Sequence, residues 1–168
     1  MEFSFTTTYD LPALTCMARA LRKTVRKKHS RRSRIYAAVV MALGAVVLIF
    51  GDGTARKGLM VAVLAVMALT LIFEDKLNGF LALKRMAPGS DVAQAVFTDE
   101  GYRSSAKLGS TEWSYENIVA VAEDARYFIF LLGKSHAQLY DKQNMTGGTP
   151  AEFAAFISEK TGKTVIGI

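Results

Sequence analysis

The chain has 168 residues, 51% of them apolar, and a formal net charge of +6. That charge is unevenly placed. Nine Lys or Arg and no acid lie between Arg19 and Arg34, so the remainder sums to −3; from Glu74 onward ten basic residues meet twelve acidic ones. A basic face of the kind that grips nucleic acid is therefore excluded for the C-terminal half. Lone Cys16 leaves no internal disulfide to form, which is compatible with a reducing, cytoplasmic placement.

The N-terminal stretch Glu2-Phe3-Ser4-Phe5-Thr6 alternates apolar and polar residues and predicts a short strand. A helix is expected from Asp10. Leu11, Leu14, Ala18, Leu21 and Val25 recur at spacings of three and four and form one stripe, flanked by Arg22, Lys23, Arg26 and Lys27. A basic amphipathic helix beside a membrane span points to contact with anionic lipid, with Arg22, Lys23, Arg26, Lys27 and Lys28 as headgroup candidates. The same residues serve equally well as topology determinants, with the stripe packed on the polar domain. A nucleic-acid patch is the weaker reading, because the cluster is pinned to the bilayer surface.

Two runs without a single ionisable residue follow, Ile35 to Phe50 and Gly58 to Phe73, separated only by residues 51–57. So short a connection joins antiparallel helices. Sixteen residues give roughly 24 Å of helix, slightly short of a hydrocarbon core of about 30 Å. Arg34 and Lys57 can lift their charges to the interface and close part of that gap. Each run carries nine Leu, Ile, Val or Phe. Together these favour insertion by roughly 3 to 5 kcal/mol per helix. A surface helix of a soluble protein would need a polar face, and neither run supplies one. Ser30-Arg31-Arg32 ahead of the first run is a twin-arginine pattern, but no small-x-small cleavage site follows Phe50. A two-helix transmembrane hairpin is expected, with the basic excess on its outer flanks and hence both termini in the cytoplasm. Neither span holds an Asp, Glu, Lys, Arg or His, which favours an anchor over a channel or transporter.

Residues 74–168 read as a small antiparallel β domain closed by one helix, completing an α+β membrane protein in three parts: 1–34, 35–73 and 74–168. Val92 to Thr98 is strand-like, Asp99-Glu100-Gly101 turns, and Tyr102 to Lys107 returns. Thr111-Glu112-Trp113 follows a turn at Leu108-Gly109-Ser110. Ser114 is placed to cap a helical turn over Tyr115-Glu116-Asn117. Ile118 to Ala122 is apolar, Tyr127 to Leu132 is the strongest buried strand, and another strand is expected near Ala137 to Tyr140. Thr149-Pro150-Ala151-Glu152 is a capping box with Pro at the first helical position. Phe153, Phe156 and Ile157 then share a face, and Gly162 ends the helix. Several strands followed by one such helix suit a sheet whose open end the helix plugs.

The run Phe97-Thr98-Asp99-Glu100-Gly101-Tyr102, then Trp113-Ser114-Tyr115-Glu116-Asn117-Ile118, the aromatic strand around Phe128 and the closing helix from Phe153 to Ile157 resemble the C-terminal domain of YcxB-like bacterial membrane proteins. The resemblance covers residues 92–157. It implies a pleckstrin-homology-like domain after an N-terminal strand, a helix and two membrane helices, in a bacterial cytoplasmic (inner) membrane. Tyr140-Asp141-Lys142-Gln143-Asn144-Met145 departs from the family, which tends to have a proline and a basic residue there.

Catalytic and metal signals are thin. His29 and His136 lie on opposite sides of the hairpin without Cys or carboxylate partners at ligand spacing. The acidic pairs Asp99-Glu100 and Glu123-Asp124 sit in turns, where Asp is favoured for backbone reasons. Gly147-Gly148 precedes a helix N-terminus but lacks the Lys-Ser/Thr of a phosphate loop. Trp113 reads as a core residue under the Ser114 turn, or as a lipid-facing or peptide-groove contact; the resemblance favours the core. No nucleophile with a base, cofactor motif or catalytic constellation is visible, so the expectation is a non-enzymatic module that binds a protein or peptide. The alternative is an anionic-lipid protein of the inner leaflet using residues 19–34. Trp113, Ser114, Thr149 and Glu152 are expected to be structural.

Overall fold

The structure, a computed structural model, describes residues 2–50 and 52–168. Strand β1 (Phe3–Thr8) opens the chain. Helices α1 (Leu11–Lys23), α2 (Lys27–Phe50), α3 (Thr54–Ile72) and α4 (Glu74–Arg85) follow. Then come β2 (Val92–Phe97), β3 (Tyr102–Ala106), β4 (Gly109–Trp113), β5 (Ala120–Glu123), β6 (Tyr127–Leu131), β7 (Ala137–Asp141) and β8 (Met145–Thr146). Helix α5 (Pro150–Thr161) and β9 (Val165–Gly167) close the described chain. The result is an α+β fold with two largely antiparallel sheets and two long apolar helices.

One sheet runs β4-β3-β2-β1-β8 and the other β7-β6-β5-β9. The alternation in β1 buries Phe3, Phe5 and Thr7 while Thr6 and Thr8 stay exposed. Its register sets Phe3 opposite Phe97 and Phe5 opposite Ala95 on one side, and Phe5 opposite Met145 on the other. A strand that precedes all four helices is thus interior to a sheet built otherwise from residues that follow them. The expected strands of the C-terminal half form within a residue or two of their predicted bounds. Two short strands carried no readable period: β8, and β9, which pairs parallel to β5.

All five residues of β6 are buried because the strand is covered on both faces. Phe128 and Phe130 point into an aromatic core with Phe5, Phe97 and Phe153, while Tyr127, Ile129 and Leu131 point the other way, under α1. Helix α5 plugs the space between the sheets. The Phe153 ring lies 4.6 Å from Phe5, 4.9 Å from Phe97 and 5.0 Å from Phe128, measured between ring centres. Such tilted and edge contacts suit the quadrupoles of the rings.

Asp10 starts α1 by accepting a hydrogen bond from the Ala13 N–H at 2.8 Å. The helix buries the expected stripe only in part. Leu14 and Leu21 are inside, Ala18 is half-buried, and Val25, beyond the helix end at Lys23, packs partly buried against the same cluster, but Leu11 is 39% exposed. The buried face is made of small residues, Ala13, Cys16 and Ala20 with Leu21, set on Ala122, Ile129 and Leu139. Small side chains let a helix lie close to a sheet, and counting only large apolar residues misses that face. Helix α4, EDKLNGFLALKR, carries no strong apolar period in its sequence. Its charges are ordered for its dipole, with Glu74 and Asp75 in the first turn and Lys84 and Arg85 in the last. It crosses α1 at Gly79, where a Cβ would sit 2.7 Å from Thr15 Oγ1 and 2.8 Å from the Thr15 backbone nitrogen.

Helices α2 and α3, of 24 and 19 residues, are long and apolar enough to cross a membrane. They begin earlier than the uncharged runs, because Lys, Arg, Ser and Thr do not break a helix. Their lengths become about 36 Å and 28 Å. Gly44 faces Leu64 on the partner helix and is the buried residue of α2. Val39, Val46, Leu59 and Val66 are exposed on the outside of the pair.

Candidate functional site

Three places on the molecule concentrate chemistry: the junction of α1, α2 and α4, a cleft beside β4, and a polar cluster at the end of β5.

At the junction, the basic segment is divided by its partners. Arg22 grips Asp75 with both arms of its guanidinium, Nε to Oδ1 at 2.7 Å and Nη2 to Oδ2 at 2.6 Å. That hydrogen-bonded pair holds the Arg22 charge more firmly than usual. Arg34 donates to Glu74 at 3.2 Å, tying the start of α4 to α2. Arg26 donates through Nε to the Lys134 carbonyl. Lys23, Lys27 and Lys28 are exposed, and among the described residues no carboxylate pairs with any of them. So of the five headgroup candidates, Arg22 is committed to a carboxylate, Arg26 to a backbone oxygen, and three lysines are open. A cleft of about 660 Å³ lies here, with Lys23, Lys27 and Arg31 on one wall and Ile35, Ala38 and Ile166 continuing it. Arg31 stood in the basic segment but outside the candidate set. Lys27, Arg31, Ile35 and Ala38 step by four, four and three, so they occupy one helix face.

The second cleft, of about 630 Å³, spans β2, β3 and the outer strand β4 and includes Val96, Tyr102, Arg103, Glu112 and Trp113. Arg103 and Glu112 face each other across β3 and β4 and are hydrogen-bonded, Nε to Oε1 at 3.2 Å. Trp113 is half-buried, stacks on Tyr102 at 6.4 Å between ring centres, and leaves its buried Nε1 without a partner among the described residues. It is therefore part core and part cleft wall. Ser114 caps the following turn by accepting from the Glu116 N–H at 3.3 Å. Tyr115, in that turn, donates to the Thr98 carbonyl at 2.6 Å and so fixes the rim. Thr149 and Glu152 form the reciprocal capping box: the Thr149 N–H donates to Glu152 at 2.7 Å and the Glu152 N–H to Thr149 Oγ1 at 3.3 Å. Both are structural.

The polar cluster joins Cys16, Asp124, Glu123 and Lys142. Cys16 Sγ donates to Asp124 Oδ2 at 3.0 Å, and Lys142 Nζ to Glu123 Oε2 at 2.6 Å and the Asp124 carbonyl at 2.7 Å. Burial pushes the Cys16 thiol up to about 12, and the Asp124 carboxylate beside it adds to the rise. A thiol held protonated is a hydrogen-bond donor, not a nucleophile. The acidic pairs flagged in turns also have internal partners, Asp99 with Lys160 at 2.8 Å and Glu123 with Lys142. Among the described residues no three His, Cys, Asp or Glu side chains gather as a metal site. His29 and His136 are exposed and lie on separate elements.

No protein-family model matches this chain, and no curated protein matches it.

Proposed function

We propose that this chain is a two-span membrane protein that holds a non-enzymatic, pleckstrin-homology-like domain at the cytoplasmic face and binds an extended segment of a protein partner. Two antiparallel meanders plugged by α5 support the pleckstrin-homology-like reading and, with it, kinship to the YcxB-like proteins. The apolar surfaces of α2 and α3, open on all outward sides, support insertion of that pair, since a watery surface of this kind is unfavourable. The Arg22–Asp75 and Arg34–Glu74 links then hold the β domain at a set position beside the bilayer.

The observation that carries the binding role is the free edge of β4. Among the described residues no strand lies beyond its outer backbone groups, and its residues from Gly109 to Glu112 are exposed. An extended peptide can add to such an edge through main-chain hydrogen bonds, with adjacent pockets reading its side chains. The cleft supplies an apolar wall at Trp113 and opposite charges at Arg103 and Glu112. Reporter fusions at Gly53 and Ile168 test the anchoring: the expected result is an external signal at Gly53 and a cytoplasmic one at Ile168. A photoreactive residue at Thr111 tests the edge. A discrete protein adduct that disappears with Trp113→Ala is expected; an adduct indifferent to that change, or lipid adducts alone, would sink the proposal.

A further inference from the structure

We infer that the cleft between the start of α2 and β9 binds the headgroup phosphate of an anionic membrane lipid, with an acyl chain lying along its apolar end. This rests on the anchored reading above and concerns a different face from the β4 edge. Lys23, Lys27 and Arg31 line the cleft without an acidic partner among the described residues, while neighbouring Arg22 and Arg34 are neutralised by Asp75 and Glu74. Of the cations without an acidic partner among the described residues, Lys23, Lys27 and Arg31 share the cleft, while Lys28 and Arg32 lie outside it.

The arrangement works against helix stability. Lys27 and Arg31 are like charges four apart, and no acid stands in the first turn of α2, where the dipole disfavours cations. A bound anion relieves both. The chemistry along the face also changes in the order a lipid needs. Two turns of charge at Lys27 and Arg31 give way to Ile35 and Ala38 on the same face, where α2 becomes apolar. Across the cleft stands Ile166, 44% exposed although it is a large apolar residue. It is brought there by the parallel pairing of β9 with β5, which sets Ile166 opposite Ala122. A free phosphate has no use for Ile35 and Ile166; a glycerophospholipid uses both ends of the cleft.

The test uses the full chain in detergent micelles, with bound lipid counted by native mass spectrometry during titration with phosphatidylglycerol or phosphatidylcholine of matched chains. One retained phosphatidylglycerol is expected, preferred by about tenfold or more over phosphatidylcholine. Lys27→Gln with Arg31→Gln should abolish that preference. Lys28→Gln with Arg32→Gln removes the same charge outside the cleft and should change it by less than about twofold. Equal losses in the two variants mean diffuse attraction and overturn the site, as does no loss in the first. Displacement by millimolar glycerol 3-phosphate would instead indicate a free-anion pocket and also overturn it. Circular dichroism confirms that each variant is folded. Flotation with neutral vesicles separates the two readings. A chain that floats but shows no anionic preference refutes the lipid site alone, whereas one that fails to float refutes the anchoring and the lipid site with it.

Discussion

Replacing Phe5 by Ala probes whether a strand lying ahead of the hairpin is integral to the β domain. Phe5 is 2% exposed, and its ring sits 4.6 Å from Phe153, 5.6 Å from Phe97 and 5.6 Å from Tyr140. Removing a fully buried Phe costs about 3–5 kcal/mol in lost transfer free energy and cavity. The edge-on ring contacts place this site toward the upper end of that range. Small domains hold only about 5–15 kcal/mol in total, so the variant should be near its threshold of folding. With a urea slope of about 2 kcal/mol/M, the unfolding midpoint falls by about 2 M. Trp113 is the single tryptophan of the chain and stacks within this core, so its fluorescence reports the β domain without interference from the helices. Thr6→Ala, at the exposed neighbouring position, is the control and should shift the midpoint by less than about 0.3 M. A loss below about 1 kcal/mol for Phe5→Ala would show that β1 is an appendage and that the five-stranded sheet is wrongly composed.

Gly79→Ala should destabilise the α1–α4 contact by about 1–3 kcal/mol, because the new Cβ meets Thr15 backbone atoms that cannot swing aside; an unchanged melting curve would contradict that close approach. Asp75→Asn should cost about 1.5–3 kcal/mol through the loss of the charge-assisted pair with Arg22, and Asp75→Asn combined with Arg22→Gln should cost less than the sum of the two single changes in a double-mutant cycle. Cys16 should resist alkylation at pH 8 in the folded protein and react freely in urea. Its thiol is raised by burial and by Asp124 from 9.0 to about 12, so it contributes stability below pH 9 that is lost as the pH climbs toward 12. Cys16→Ala should flatten that part of the alkaline stability curve, leaving the decline due to Tyr102, Tyr115 and Tyr140, which burial also raises, and to Lys160, raised by its hydrogen bond to Asp99.

The elements with a period of two or a complete cap were legible from the residues. Phe3 and Phe5 alternate with polar neighbours, Thr149 and Glu152 satisfy each other three residues apart, and Tyr127 to Leu131 is apolar throughout. These are local signals, each carried by neighbours in the chain. The buried face of α1 was not legible in the same way, because Ala13, Cys16 and Ala20 become a core only where a sheet lies against them. Helix α4, with Leu77, Phe80 and Leu81 exposed, has no strong apolar stripe and takes its position from Thr15 and Arg22. Among the basic residues, composition alone could not separate Arg22, committed to Asp75 53 positions away, from Lys27 and Arg31, which stay open.

By itself the sequence determined the uncharged lengths of α2 and α3, the segregation of nine cations ahead of them, and the strand, turn and cap signals of the C-terminal half. All of these follow from side-chain chemistry read over a few consecutive residues. Only the tertiary structure decided that β1 enters the sheet of β2 and β8, that β9 returns parallel to β5, and that Ile166 faces a cleft with Lys27 and Arg31. Those placements depend on contacts between residues far apart in the chain, from Ala122 with Ile166 to Ser4 with Thr146. Burial of the Phe5, Phe97 and Phe153 rings in one shared space selects them, and no local pattern encodes it.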